Sequence, residues 1–186
     1  MGLFDKFKKN RSSDNKDNSK IIADIFRIIG RENEAIAAEI SECTNSPKEY
    51  AVKNSTQFSE RGISHNDADP DTLMWIGCVD ILINNSYAAE LDFSCELEDL
   101  IFNLGKLKTI TAENIILDEK DFSSDEDIIL WLSQLDEQLK ERNLCIGGID
   151  IDSDSYVIFL TDIRTFKTIK DSAESIGHRI DYAKNL

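Results

Sequence analysis

The residues best placed to do chemistry in this 186-residue chain are carboxylates at alternating positions. Asp150, Asp152 and Asp154 stand at i, i+2 and i+4, the spacing with which a calcium loop begins. The likeness stops there, because Ser155 stands where glycine is needed and Thr161 where a bidentate glutamate is needed. Aspartate and serine are also what a tight turn uses to bond its own backbone, so a hairpin tip is expected and no metal is assigned. Glu90 and Asp92 share one face of an alternating stretch. Paired carboxylates can divide acid and base roles when a pocket raises one pKa. Glu90, Asp92 and Asp150 therefore form the candidate carboxylate site of a hydrolase or metal-dependent enzyme, against the plainer reading of a solvated sheet face.

Other chemistries find less. His65 falls in a loop and His178 in a terminal helix beside Arg179, and both read as surface histidines. No serine or cysteine sits in a nucleophile-elbow motif, and no glycine-rich phosphate loop occurs. Gly147-Gly148 lies inside a strand pattern and marks a bulge or close packing. Cys43, Cys78, Cys95 and Cys145 form no close pair of the kind zinc sites use, so four reduced and mostly buried thiols are expected. No catalytic residue and no cofactor is assigned, and an enzyme is the second expectation.

Charge points elsewhere. The formal net charge is −15, which argues against free nucleic acid as a partner and for a basic protein or simple solubility. Between Glu113 and Asp154 thirteen acids face three bases, a net −10. The densest part is Asp118, Glu119, Asp121, Asp125, Glu126 and Asp127, and Asp152 and Asp154 add to it at the hairpin tip. These eight are the candidate partner-binding residues, since a one-sided field speeds encounter with a basic protein.

The elements that would carry these residues follow from apolar spacing. Ile21, Ile22, Ile25, Phe26 and Ile29 make a helical stripe from a cap at Ser19, and Ala35, Ile36 and Ile40 resume it after Gly30. Ser46-Pro47 and Asp69-Pro70 are cap-and-proline helix starts. The second opens a helix from Asp71 to about Asn84 that is apolar almost all round and so should be central. Tyr87 to Phe93 alternates as a half-buried strand, with Tyr87, Ala89, Leu91 and Phe93 inward. Ser94 caps a helix through Leu97, Leu100, Ile101 and Leu104. Short strands are considered at Leu107 to Ile110 and Ile115 to Leu117. Ser123 and Glu126 read as a capping box for a helix through Ile128, Trp131, Leu132, Leu135 and Leu139, with a left-handed cap at Asn143. Leu144 to Ile151 and Tyr156 to Thr161 make a hairpin, and Phe166, Ile169, Ala173, Ile176 and Ile180 make a closing helix. The expected fold is α+β: a small, mainly antiparallel sheet with a β-hairpin in the C-terminal half, packed by several amphipathic helices.

Residues 1 to 19 form a basic, polar tail expected to be disordered, and residues 20 to 186 a single domain. Within the tail, Leu3, Phe4 and Phe7 beside lysines give a small amphipathic face, which allows weak contact with a membrane surface and a third reading as a membrane-associated regulatory module. No secretory signal and no apolar run of spanning length is read, so a cytoplasmic location is expected. Oligomeric state is left open.

Trp75, Ala89-Glu90-Leu91-Asp92-Phe93 and Gly148-Ile149-Asp150 through Asp152-Ser153-Asp154-Ser155-Tyr156 together resemble an uncharacterised bacterial domain-of-unknown-function family. Its pattern is a tryptophan helix, a Glu-Leu-Asp-aromatic strand and a Ser-Asp-Ser-Tyr hairpin, and the likeness covers about residues 70 to 180. The resemblance implies no established activity. By analogy with small acidic bacterial domains, it is consistent with an immunity protein that binds a basic toxin. The function expected first is thus non-enzymatic protein binding.

Overall fold

The computed structural model of the chain describes residues 15–123 and 126–186. Five helices come first: α1 (Asn15–Ile29), α2 (Glu34–Asn45), α3 (Pro47–Lys53), α4 (Ser55–Glu60) and α5 (Pro70–Asn84). The capping chemistry sets their starts, with Asn33 accepting from the Ile36 amide and Asp69 from the Thr72 amide. Strand β1 (Ala89–Asp92), α6 (Leu97–Gly105), α7 (Lys108–Ala112) and α8 (Ile128–Lys140) follow. The chain closes with β2 (Leu144–Ile149), β3 (Ser155–Asp162), α9 (Ile163–Ser175) and β4 (Ile180–Tyr182). This is an α+β fold with a small antiparallel sheet, its strands mostly C-terminal, packed by several helices.

The sheet order is β1-β3-β2-β4, antiparallel throughout. The hairpin forms its centre, with Ile149 opposite Val157 and Leu144 opposite Asp162. Period-two alternation sends β3 in two directions. Val157 and Phe159 join the core formed by α1, α2, α3, α5 and α9, while Ile158 and Leu160 join that of α6, α7 and α8. Helices therefore cover both faces of the sheet, rather than one apolar face, and every residue of β2 is buried. Gly147 belongs to this packing, because a Cβ there would stand 2.4 Å from the Phe159 ring. Asp136 of α8 pins the sheet from the side, accepting the Ile146 amide at 2.9 Å and pairing with Lys184 at 3.1 Å.

Several local expectations change. The helix start at α8 is capped by Asp127, not by a Ser123–Glu126 box. The cap at α6 is Glu96, in a reciprocal box with Asp99, rather than Ser94. Lys108 to Ile110 is helical rather than extended, with Leu107 at its cap, because Leu107 and Ile110 bury one turn apart against the α6–α8 core. Residues 115 to 117 form no strand. The strand near Tyr87 is shorter than its alternation, with Tyr87 in the opposite core from Ala89 and Leu91 and with Phe93 61% exposed. The last helix stops at Ser175, Gly177 takes φ 81°, and Ile180 then leads β4 instead of ending a helix. At the other end α1 already begins at Asn15, ahead of the cap expected at Ser19. Among the described residues, no helix is long and apolar enough to cross a membrane.

Candidate functional site

Asp80 lies on α5 in a run, Leu73 to Leu82, that is buried at every position. A charge there must be paired, and Arg61, just past the end of α4, supplies the partner. Its Nε donates to Asp80 Oδ1 at 2.7 Å, while Nη1 and Nη2 donate to the two Glu90 oxygens at 3.2 and 2.7 Å. The guanidinium thus bridges a helix and an edge strand, with its side chain 18% exposed against 4% for Asp80 and 28% for Glu90. Burial works against the Arg61 charge, but the bonds to Glu90 and Asp80 outweigh it and hold its pKa above the ordinary value. Burial pushes the Asp80 carboxyl up, the Arg61 bond opposes that, and Glu90 adds to the rise. Asp80 Oδ2 has no hydrogen-bond partner. A half-satisfied carboxyl with a raised pKa beside a second carboxylate is the arrangement in which acid–base chemistry arises.

The expected trio of Glu90, Asp92 and Asp150 answers to three separate partners. Glu90 is held by Arg61. Asp92 lies exposed at the end of β1, where it accepts from the Ser94 amide and hydroxyl, and those bonds hold its pKa down. Asp150 accepts the Asp152 amide at 2.9 Å and faces Arg179 at 3.7 Å. Among the described residues, no group of three or more His, Cys, Asp or Glu side chains is arranged to hold a metal ion.

A second cluster surrounds the tryptophan of α5. Trp75 donates its indole N–H to the Asp150 carbonyl at 2.9 Å, and its ring stacks on His178 at 3.9 Å between centroids and 3° between planes. His178 Nε2 stands 2.9 Å from Asp71 Oδ2, with both side chains mostly buried. His178 is thus neither helical nor a surface residue. It ties the approach to β4 onto α5 and the turn end of the hairpin. His65 is half-buried in the loop before α5.

The partner-binding candidates behave differently from both clusters. Asp118, Glu119, Asp121, Glu126, Asp127, Asp152 and Asp154 are exposed, and Asp125 lies outside the described residues. Asp118 and Asp127 double as caps. Among the described residues, Lys120, at 3.9 Å from Asp118, is the one base within ion-pair distance of this set. Asp152, at φ 59°, turns the hairpin tip.

The sequence reading missed two features. One is the Arg61–Asp80 pair, although a single aspartate in an otherwise apolar helix was a signal for it. The other is the segment after β1, where Phe93 and Phe102 are 61% and 63% exposed among Asp92, Glu96, Glu98 and Asp99. Burial, then Asp99, Asp92 and Glu96, push up the pKa of the half-buried Cys95 thiol in the middle of that segment.

A family model described as a domain of unknown function, DUF6630, matches residues 21–183, and the chain belongs to that family. No curated protein and no solved structure matches the chain.

Proposed function

We propose that this chain is a non-enzymatic module that binds a basic protein through its acidic surface, an immunity protein against a cationic toxin being the form that fits best. The observation that carries the reading is the solvent exposure of Asp118, Glu119, Asp121, Glu126, Asp127, Asp152 and Asp154 with, among the described residues, a single lysine paired to them. Ordinary surfaces intersperse both signs, and a field of one sign raises the encounter rate with an opposite one by about 10- to 1000-fold at low salt. Carboxylates of this density stand in for phosphates at a cationic cleft. The test is capture from the native host with the full chain and with a chain in which Asp118, Glu119 and Asp121 are changed to Lys. The reading expects a basic protein that the original retains and the variant loses. Equal retention by both defeats it.

A second reading has one observation in its favour, the unpartnered Asp80 Oδ2 beside Arg61 and Glu90. It makes this cluster, with Glu90 the member in common with the carboxylate site read from sequence, the centre of a hydrolytic or metal-dependent activity. Titration calorimetry with calcium, magnesium, manganese and zinc decides the metal form. That form expects binding tighter than about millimolar, abolished by Asp80→Asn, and binding unaffected by that change rules it out.

A further inference from the structure

Phe93 and Phe102 stand at the two ends of one surface segment. Phe93 follows β1 directly, and Phe102 lies on the outer face of α6, one turn beyond Glu98 and Asp99. A lone exposed phenylalanine needs no explanation, but two of them, 61% and 63% exposed in the segment 92–102 that also carries Asp92, Glu96, Glu98 and Asp99, are apolar groups in an acidic setting. The Phe102 ring already carries a cation, Lys106 Nζ at 3.6 Å from its centroid.

The chain contains a segment of complementary chemistry. Residues 1 to 11 hold Leu3, Phe4 and Phe7 together with Lys6, Lys8, Lys9 and Arg11 against Asp5, a net +3. The place where this segment joins the fold is also favourable. Just beyond the C-terminal end of α1, Arg31 bonds Glu113 at 3.0 Å beside a 300 Å³ hollow that includes Leu144 and Asp162, at one end of the hairpin. Phe26, earlier in α1, is already 5.0 Å from Trp75, whose indole bonds Asp150 at the other end. The start of α1 therefore points toward the hairpin tip. There β1 also ends, with Asp92 opposite Ser155. Fourteen residues precede α1. They span up to roughly 45 Å extended, and about 21 Å if helical, against a diameter of about 40 Å for a domain of this size.

We infer that residues 1–11 of this chain dock on its own surface between Phe93 and Phe102. Phe4 and Phe7 cover the two exposed rings, and the tail lysines meet Asp92, Glu96 and Glu98. The contact uses none of the acids proposed above for a partner and is independent of that function.

Chymotrypsin cleavage after Phe4 and Phe7 tests it in the full chain, with a synthetic peptide of residues 1–14 as the undocked reference. At low salt the tail is expected to be cut about tenfold more slowly than the peptide. Phe102→Ser, Phe93→Ser or Lys6, Lys8 and Lys9→Glu should each restore most of the peptide rate, and circular dichroism should report an unchanged fold. Tail cleavage at the peptide rate in the unaltered chain overturns the inference. So does protection that survives Phe102→Ser, which would place the tail elsewhere. Protection that vanishes on hundredfold dilution also overturns it, since the tail would then occupy a second copy.

Discussion

Asp80 lies in a stretch of α5 where every residue from Leu73 to Leu82 is buried, and Arg61 reaches it from outside that helix. Removing the arginine leaves a carboxylate in low dielectric with nothing to answer it. Arg61→Met is expected to cost about 3 kcal/mol in urea unfolding, because breaking a buried pair exposes the desolvation penalty of the remaining charge. The double change Arg61→Met, Asp80→Leu should recover most of that loss, since a packed apolar pair carries no such penalty. A double variant as unstable as the single one would mean that Asp80 serves the fold in some other way. The pair joins positions 19 residues apart in sequence and was invisible to spacing arguments, which follow neighbours along one element. His178 was misplaced for a related reason. The apolar period of α9 runs on through Ile176 to Ile180, and only Gly177, at φ 81°, marks the break that turns His178 toward Trp75.

At the scale of elements, caps decide more than stripes. Asp162 ends β3 and caps α9, accepting the Thr165 amide at 3.0 Å. The Thr165 side chain and the amides hold its carboxyl below the ordinary value, against a smaller effect of burial. Asp162→Ala is expected to cost about 1 kcal/mol at pH 7. A depressed folded pKa gives a contribution that is complete above the unfolded value, about 3.9, and is lost as pH falls through the folded one. The difference between the two proteins in thermal melting should therefore shrink below about pH 4, and a gap that stays constant down to pH 2 would show that the charge plays no part. The helical stripes of α1, α5 and α8 and both strands of the hairpin were legible from their periods. The short helix α7 and strand β4 were not. Five and three residues are too few to display a period, and their state is set by the core they complete. Nor could one strand's alternation reveal that helices cover both faces of the sheet. That follows only when Leu144 and Ile146 are seen to face α8 while Cys145 and Ile149 face the first core.

The whole molecule carries −15, unevenly spread, and the acids named for a partner are those with little structural work beyond two caps. They were legible as a charge run in the sequence. Their placement required the fold, because Asp121 lies back along α8, with its carbonyl beside Gln138, while Asp127 caps the helix start. The account predicts a partner found by its field before its contacts. The direct measurement is stopped-flow association of the captured basic protein with the full chain, across sodium chloride from about 20 to 300 mM, a range in which the screening length falls from roughly 20 to 6 Å. With Asp118, Glu119 and Asp121 intact, association should slow by tenfold or more over that range. With the three changed to Lys it should be at least tenfold slower at the lowest salt, with a flatter dependence and an unchanged circular dichroism spectrum. Association of the charge-reversed chain at the original rate, with the original salt dependence, would contradict the account and leave the acidic surface with solubility as its role.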